Sequence, residues 1–171
     1  MSLLRLVDRL NEWVGWLAAL LILPSIAIAL YEVVVRYLFN SPTIWVNESV
    51  LILFGFYFLL GGSYTLRHGG HVRVDVLLLA FPPPARLALN VFANLVTIFF
   101  LSILFWITGD QALESIAYLE RSDSAWGPYI FPVLTAAPVA AVLMILQALA
   151  HVVRELAALR DSLEADEEPL V

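Results

Sequence analysis

Four stretches of the chain carry no charged residue and are long enough to cross a bilayer: Trp13 to Tyr31, Ser49 to Leu66, Leu87 to Gly109, and Ser124 to Ala150. A hydrocarbon core of about 30 Å takes roughly 20 helical residues, so each stretch predicts one transmembrane helix. Their apolar residues run continuously instead of alternating, which excludes the dyad pattern of an outer-membrane barrel. The pattern therefore predicts an all-α integral membrane protein, with spans at about 13–35, 48–66, 87–110 and 124–151 in a single membrane domain over 1–160. Residues 161–171 make an acidic tail. Arg5 and Arg9 precede span one as they would a signal peptide. Its length, and the absence of a small-x-small cleavage pattern before Glu32, predict a retained helix.

Shorter patterns fill the gaps. Leu3, Leu6, Val7 and Leu10 recur at helical spacing, which predicts either a short interfacial helix or a span that runs on past the membrane. Val74 to Phe81 is apolar but too short to cross, and predicts an interfacial or re-entrant helix ended by Pro82, Pro83 and Pro84. Span three is expected to continue outward as an amphipathic helix, with Leu113, Ile116 and Ala117 opposite Asp110 and Glu114. Pro24, Pro132 and Pro138 fall inside spans and predict bent helices.

Composition excludes a soluble domain, because 61% of the residues are hydrophobic and 14% charged, where a soluble domain is about half apolar and a quarter charged. All nine basic residues are arginine and the net charge is −6, so no nucleic-acid footprint exists. The chain has no cysteine, which removes disulfides and thiolate metal sites. The arginines also orient it. Arg5, Arg9, Arg67, Arg73, Arg86, Arg154 and Arg160 flank one side of the spans and only Arg36 and Arg121 the other, which predicts that both termini are cytoplasmic.

Candidate chemistry is sparse. Ionisable groups at mid-membrane signal transport sites, yet every carboxylate and arginine here lies at or beyond a span end. Asn94 and Gln147 are placed to bond between helices. Glu32 and Arg36 stand i and i+4 in the favourable order for an ion pair; Glu48, or an acidic group of a partner, is an alternative for Arg36. Asn40, Ser41 and Pro42 make a turn, and Ser41 or Thr43 is placed to cap the next helix. His68 and His71 with Asp75 offer too few ligands for a metal; a structured inner turn, with arginines meeting anionic head groups, fits them better. No cofactor is expected. Ala136, Ala137, Ala140 and Ala141, and Gly61 with Thr65, are small-residue pairs that let helices approach, inside the bundle or against a partner.

The ordered set of features resembles the DctQ-type small membrane subunit of tripartite ATP-independent periplasmic (TRAP) transporters. The four spans carry, in order, Glu32 to Pro42 (EVVVRYLFNSP), Trp45 with Glu48, Tyr64 to Asp75 (YTLRHGGHVRVD), and Ser122 with a proline-bearing last span ending in Leu146 and Gln147. The resemblance implies a multi-pass protein of a bacterial or archaeal inner membrane. Its implied partners are a large multi-span permease, an extracytoplasmic solute-binding protein and membrane lipids. It further implies that this small subunit packs beside the permease scaffold during sodium-coupled uptake of an organic acid, and that it is not an enzyme. By the same resemblance, Arg36, Asn40, Pro42, Trp45 and Glu48 organise the outer turn or an interface, and Arg67, His71 and Asp75 the inner turn. A competing reading is an autonomous proton-coupled multidrug exporter using Glu32.

Overall fold

The computed structural model describes residues 2–70 and 81–167. Five helices account for most of them: α1 (Ser2–Leu20), α2 (Ile22–Leu38), α3 (Val46–Arg67), α4 (Pro83–Ala117) and α5 (Phe131–Glu167). Four segments are long and apolar enough to cross a membrane: Leu4–Leu38, Val46–Arg67, Ala85–Ala117 and Phe131–Ala158. Among the described residues there is no strand, only an isolated bridge between Arg121 and Tyr129. His71, Arg73 and Asp75 lie outside the described residues, as does the short apolar segment from Val74 up to Ala80.

α1 and α2 form one span interrupted by a single residue. Pro24 has no N–H and its ring crowds the carbonyl four residues back, and the helix breaks at Leu21, whose N–H reaches Ala18 O at 3.0 Å. Ser25 Oγ donates to Leu21 O at 2.7 Å and helps satisfy the break. The break lets the two halves take different neighbours. α1 packs against α3 and α5, whereas α2 packs mainly against α3. α4 packs chiefly against α5, so the helices form an open row, α4, α5, α3, α2, with α1 wedged beside α3 and α5. The N-terminal segment is a continuation of the span and not a separate interfacial helix.

The core lies along α5. Ala136, Ala140 and Ala141 are buried there with Leu143, Ala148 and Ala150, so this small-residue surface serves contacts within the chain. Two other close approaches involve glycine. A Cβ at Gly15 would overlap the Tyr64 ring, and one at Gly55 would stand 2.7 Å from Val133 Cγ2.

Three expectations are corrected at the helix ends. The last span begins as a helix at Phe131, not Ser124, because residues before it fold into a hairpin in which Ser122 N donates to Pro128 O at 2.9 Å and Ile130 N to Glu120 O at 3.1 Å. Pro132 consequently occupies the first helical turn, where its missing N–H costs no intrahelical bond, and Pro138 is the proline inside α5. The amphipathic extension of α4 reaches Ala117, but Ala112 and Ser115 are its buried positions, while Leu113 and Ile116 are exposed.

Candidate functional site

The charged residues of the described spans gather at the two ends of the row. At the end away from the termini, α2 closes in a left-handed residue, Asn40 (φ 50°), with Phe39 N and Ser41 N both donating to Val35 O at 3.2 Å. Asparagine tolerates that conformation better than most residues. The turn brings Thr43 back over α2. Glu32, 6% exposed, then accepts at Oε1 from Arg36 Nε (2.9 Å) and Nη2 (2.5 Å). Its Oε2 accepts from Thr43 N at 3.2 Å and from Thr43 Oγ1. Thr43 is therefore a partner of Glu32 and not a helix cap. Neither it nor Ser41 caps α3, whose N-cap residue is Trp45 without a side-chain bond.

Trp45 stacks obliquely on Tyr31, with ring centroids 5.9 Å apart. Pro42 is exposed in the connecting turn. Glu48, in the first turn of α3, accepts from Ser124 Oγ and ties that helix to the hairpin before α5. Within the hairpin, Arg121 lies 4.1 Å from the centre of the Tyr129 ring and donates to Gly127 O at 3.2 Å. Arg36 thus pairs with Glu32 in this structure, and Glu48 has a different partner.

At the terminal end, Arg67 pairs with Glu12, joining α3 to α1. α3 stops in a left-handed glycine, Gly69 (φ 66°), with Gly70 N donating to Thr65 O at 2.9 Å and Gly69 N to Leu66 O at 3.2 Å. This is the helix-closing arrangement for which glycine is preferred. Asp8 accepts from Arg154 Nη2 at 2.5 Å and from Gln147 Nε2 at 3.2 Å. Asn94 Nδ2 donates to Glu155 Oε2 at 2.9 Å, which links α4 to α5. Sequence reasoning misses Thr43, Ser124, Asp8 and Glu12 as partners, because none is related to its counterpart by a helical period.

These groups fasten helices together. Both carboxylate oxygens of Glu32 are engaged by partners within the chain. Comparison with known proteins gives the arrangement its context. Residues 25–158 match the family described as tripartite ATP-independent periplasmic transporters, DctQ component. The chain belongs to the DctQ family.

Its relatives differ in length. The chain is 31% identical over 144 residues to the sialic acid TRAP transporter permease protein SiaT of Haemophilus influenzae, covering 82% of this chain but 22% of that protein. It is 24% identical over 135 residues to the sialic acid TRAP transporter small permease protein SiaQ of Vibrio cholerae, covering 75% of each. A shorter match, 34% identical over 55 residues, covers 32% of this chain and 24% of the C4-dicarboxylate TRAP transporter small permease protein DctQ of Vibrio cholerae. Thus the chain spans about a fifth of the first relative and three quarters of the second. It is a membrane protein of the TRAP small permease family.

Proposed function

We propose that this DctQ-family chain is the small membrane subunit of a sodium-coupled TRAP transporter, packing beside the scaffold of a large permease. The solute is an organic acid delivered by an extracytoplasmic solute-binding protein, and the location is the bacterial or archaeal inner membrane with both termini cytoplasmic. One observation carries the reading: the charged groups of the described spans stand at the two ends of the helix row, where Glu32, Glu12, Asp8 and Glu48 are tied to partners within the chain. Such a row fits a brace better than a carrier, since a carrier needs ionisable groups near mid-membrane, and the break at Leu21, although inside span one, lies in a stretch without a charged residue. The relatives add support. A segment like this chain makes up 22% of SiaT, a longer permease protein, while SiaQ is a small permease protein matched over most of its length.

The open row also leaves broad apolar faces. Leu23, Ile26 and Leu30 on α2 and Phe92, Phe99 and Phe100 on α4 are exposed, offering surface to lipid and to a permease scaffold. Affinity purification of the tagged chain in mild detergent tests the reading, with mass spectrometry of what remains bound. A co-purifying multi-span permease is expected. Recovery of a self-assembled oligomer alone overturns it.

A further inference from the structure

α1 separates its charges by sign. Asp8 and Glu12 turn inward to Arg154 and Arg67. Arg5 and Arg9, spaced i and i+4, are exposed and have no hydrogen bond or ion pair among the described residues. Leu6, Leu10 and Trp13 beside them are 62%, 46% and 70% exposed. Two unneutralised guanidinium groups next to exposed leucines and a tryptophan make a surface suited to anionic head groups.

A groove of about 540 Å³ between α1 and α3 lies farther along the same span, lined by Gly15, Trp16, Tyr57, Phe58, Gly61 and Thr65. Trp16 follows Arg9 by two helical turns, a rise of about 10 Å toward the membrane centre. The groove stays open at Gly61, where an added Cβ would meet nothing within 4 Å. Thr65, one of its lining residues, donates Oγ1 to Gly61 O at 3.0 Å, so its hydroxyl is satisfied within α3. The exposed arginines on the same helix favour a negatively charged occupant, and a flexible acyl chain suits an apolar space of this size.

We propose that Arg5, Arg9 and the α1–α3 groove bind an anionic phospholipid from the leaflet facing the termini. The phosphate lies against the two arginines and one acyl chain enters the groove. The site is independent of which protein the subunit joins.

Native mass spectrometry of the full chain in mild detergent, titrated with phosphatidylglycerol and with phosphatidylcholine of the same acyl chains, tests this. The wild type is expected to prefer phosphatidylglycerol by on the order of ten-fold. The double variant Arg5→Gln/Arg9→Gln removes that preference, and Gly61→Leu weakens retention of both lipids. Thr65→Leu fills the same groove and reads the same outcome if Gly61→Leu does not fold. Equal retention of both lipids by the wild type, or a preference that survives the double arginine variant, overturns the proposal. So does loss of a co-expressed permease from Gly61→Leu with lipid retention unchanged, which would assign the groove to a protein.

Discussion

Asn11 and Gln147 are both fully buried and joined side chain to side chain, Asn11 Nδ2 donating to Gln147 Oε1 at 2.7 Å. The orientation of both amides follows from Asp8. A carboxylate only accepts, so Gln147 must turn Nε2 toward Asp8 Oδ1, 3.2 Å away, and Oε1 toward Asn11. Asn11 then presents its NH₂ group, and its Oδ1 is left without a hydrogen-bond partner. A carboxylate on α1 thereby orients the amide pair that joins α1 to α5.

Gln147→Leu removes the acceptor for Asn11 and one donor to Asp8. It is expected to destabilise the chain by about 1–2 kcal/mol, between the values for hydrogen bonds in membranes and for buried groups left unpaired. Adding Asn11→Leu should cost less than the sum of the single changes, because no orphaned amide remains. Equilibrium unfolding in mixed micelles measures the cycle; additive effects would show that the two amides act separately.

Gly15 and Gly61 both lie beside the α1–α3 contact and should respond oppositely to alanine. The added methyl at Gly15 runs into the Tyr64 ring, while at Gly61 it meets open space. Gly15→Ala is expected to cost about 1–3 kcal/mol through overpacking. Gly61→Ala is expected to be neutral or to gain up to about 1 kcal/mol from helix propensity. Thermal unfolding in detergent compares them, and equal effects would refute the close approach.

Leu119 closes α4 in a left-handed conformation (φ 47°), with Glu120 N bonded to Ser115 O at 2.9 Å and Leu119 N to Ile116 O at 3.2 Å. The conformation disfavours a side chain, and Leu119 is 57% exposed, so little packing offsets the strain. Leu119→Gly is expected to raise stability by up to about 1 kcal/mol. A clear loss in the same unfolding assay would mean that the exposed side chain makes contacts outside the chain.

Hydropathy makes the four spans legible because insertion into lipid demands long uncharged runs, which dominate this sequence. The ion pair of Glu32 with Arg36 is legible for a similar reason, since i and i+4 positions share a helical face. Thr43 is not. Its bond to Glu32 depends on the path of a turn through Asn40, and a threonine near a helix start is equally suited to capping. The start of α5 is hidden because the hairpin before it is apolar enough to pass for membrane, yet Gly127 at φ 60° and the backbone pairing across it hold it out of the helix. The amide pair of Asn11 and Gln147 is half legible: Gln147 stands out inside a span, whereas Asn11 lies in a stretch that reads as polar.

The Glu32 clasp provides a test that separates an internal fastening from a subunit contact. Thr43→Val removes the hydroxyl donor to Oε2 but keeps the backbone donor, whereas Glu32→Gln alters every bond in the cluster. Arg36 has a side chain 43% exposed, so Arg36→Gln should disturb the fold less than Glu32→Gln. Amide hydrogen exchange over residues 39–45 is expected to accelerate most in Glu32→Gln, less in Thr43→Val and least in Arg36→Gln. If instead Arg36→Gln leaves exchange unchanged but releases a co-purifying permease, the guanidinium serves an interface. Because one face of Arg36 is held by Glu32 and the rest is exposed, that outcome would make the carboxylate the residue that positions it.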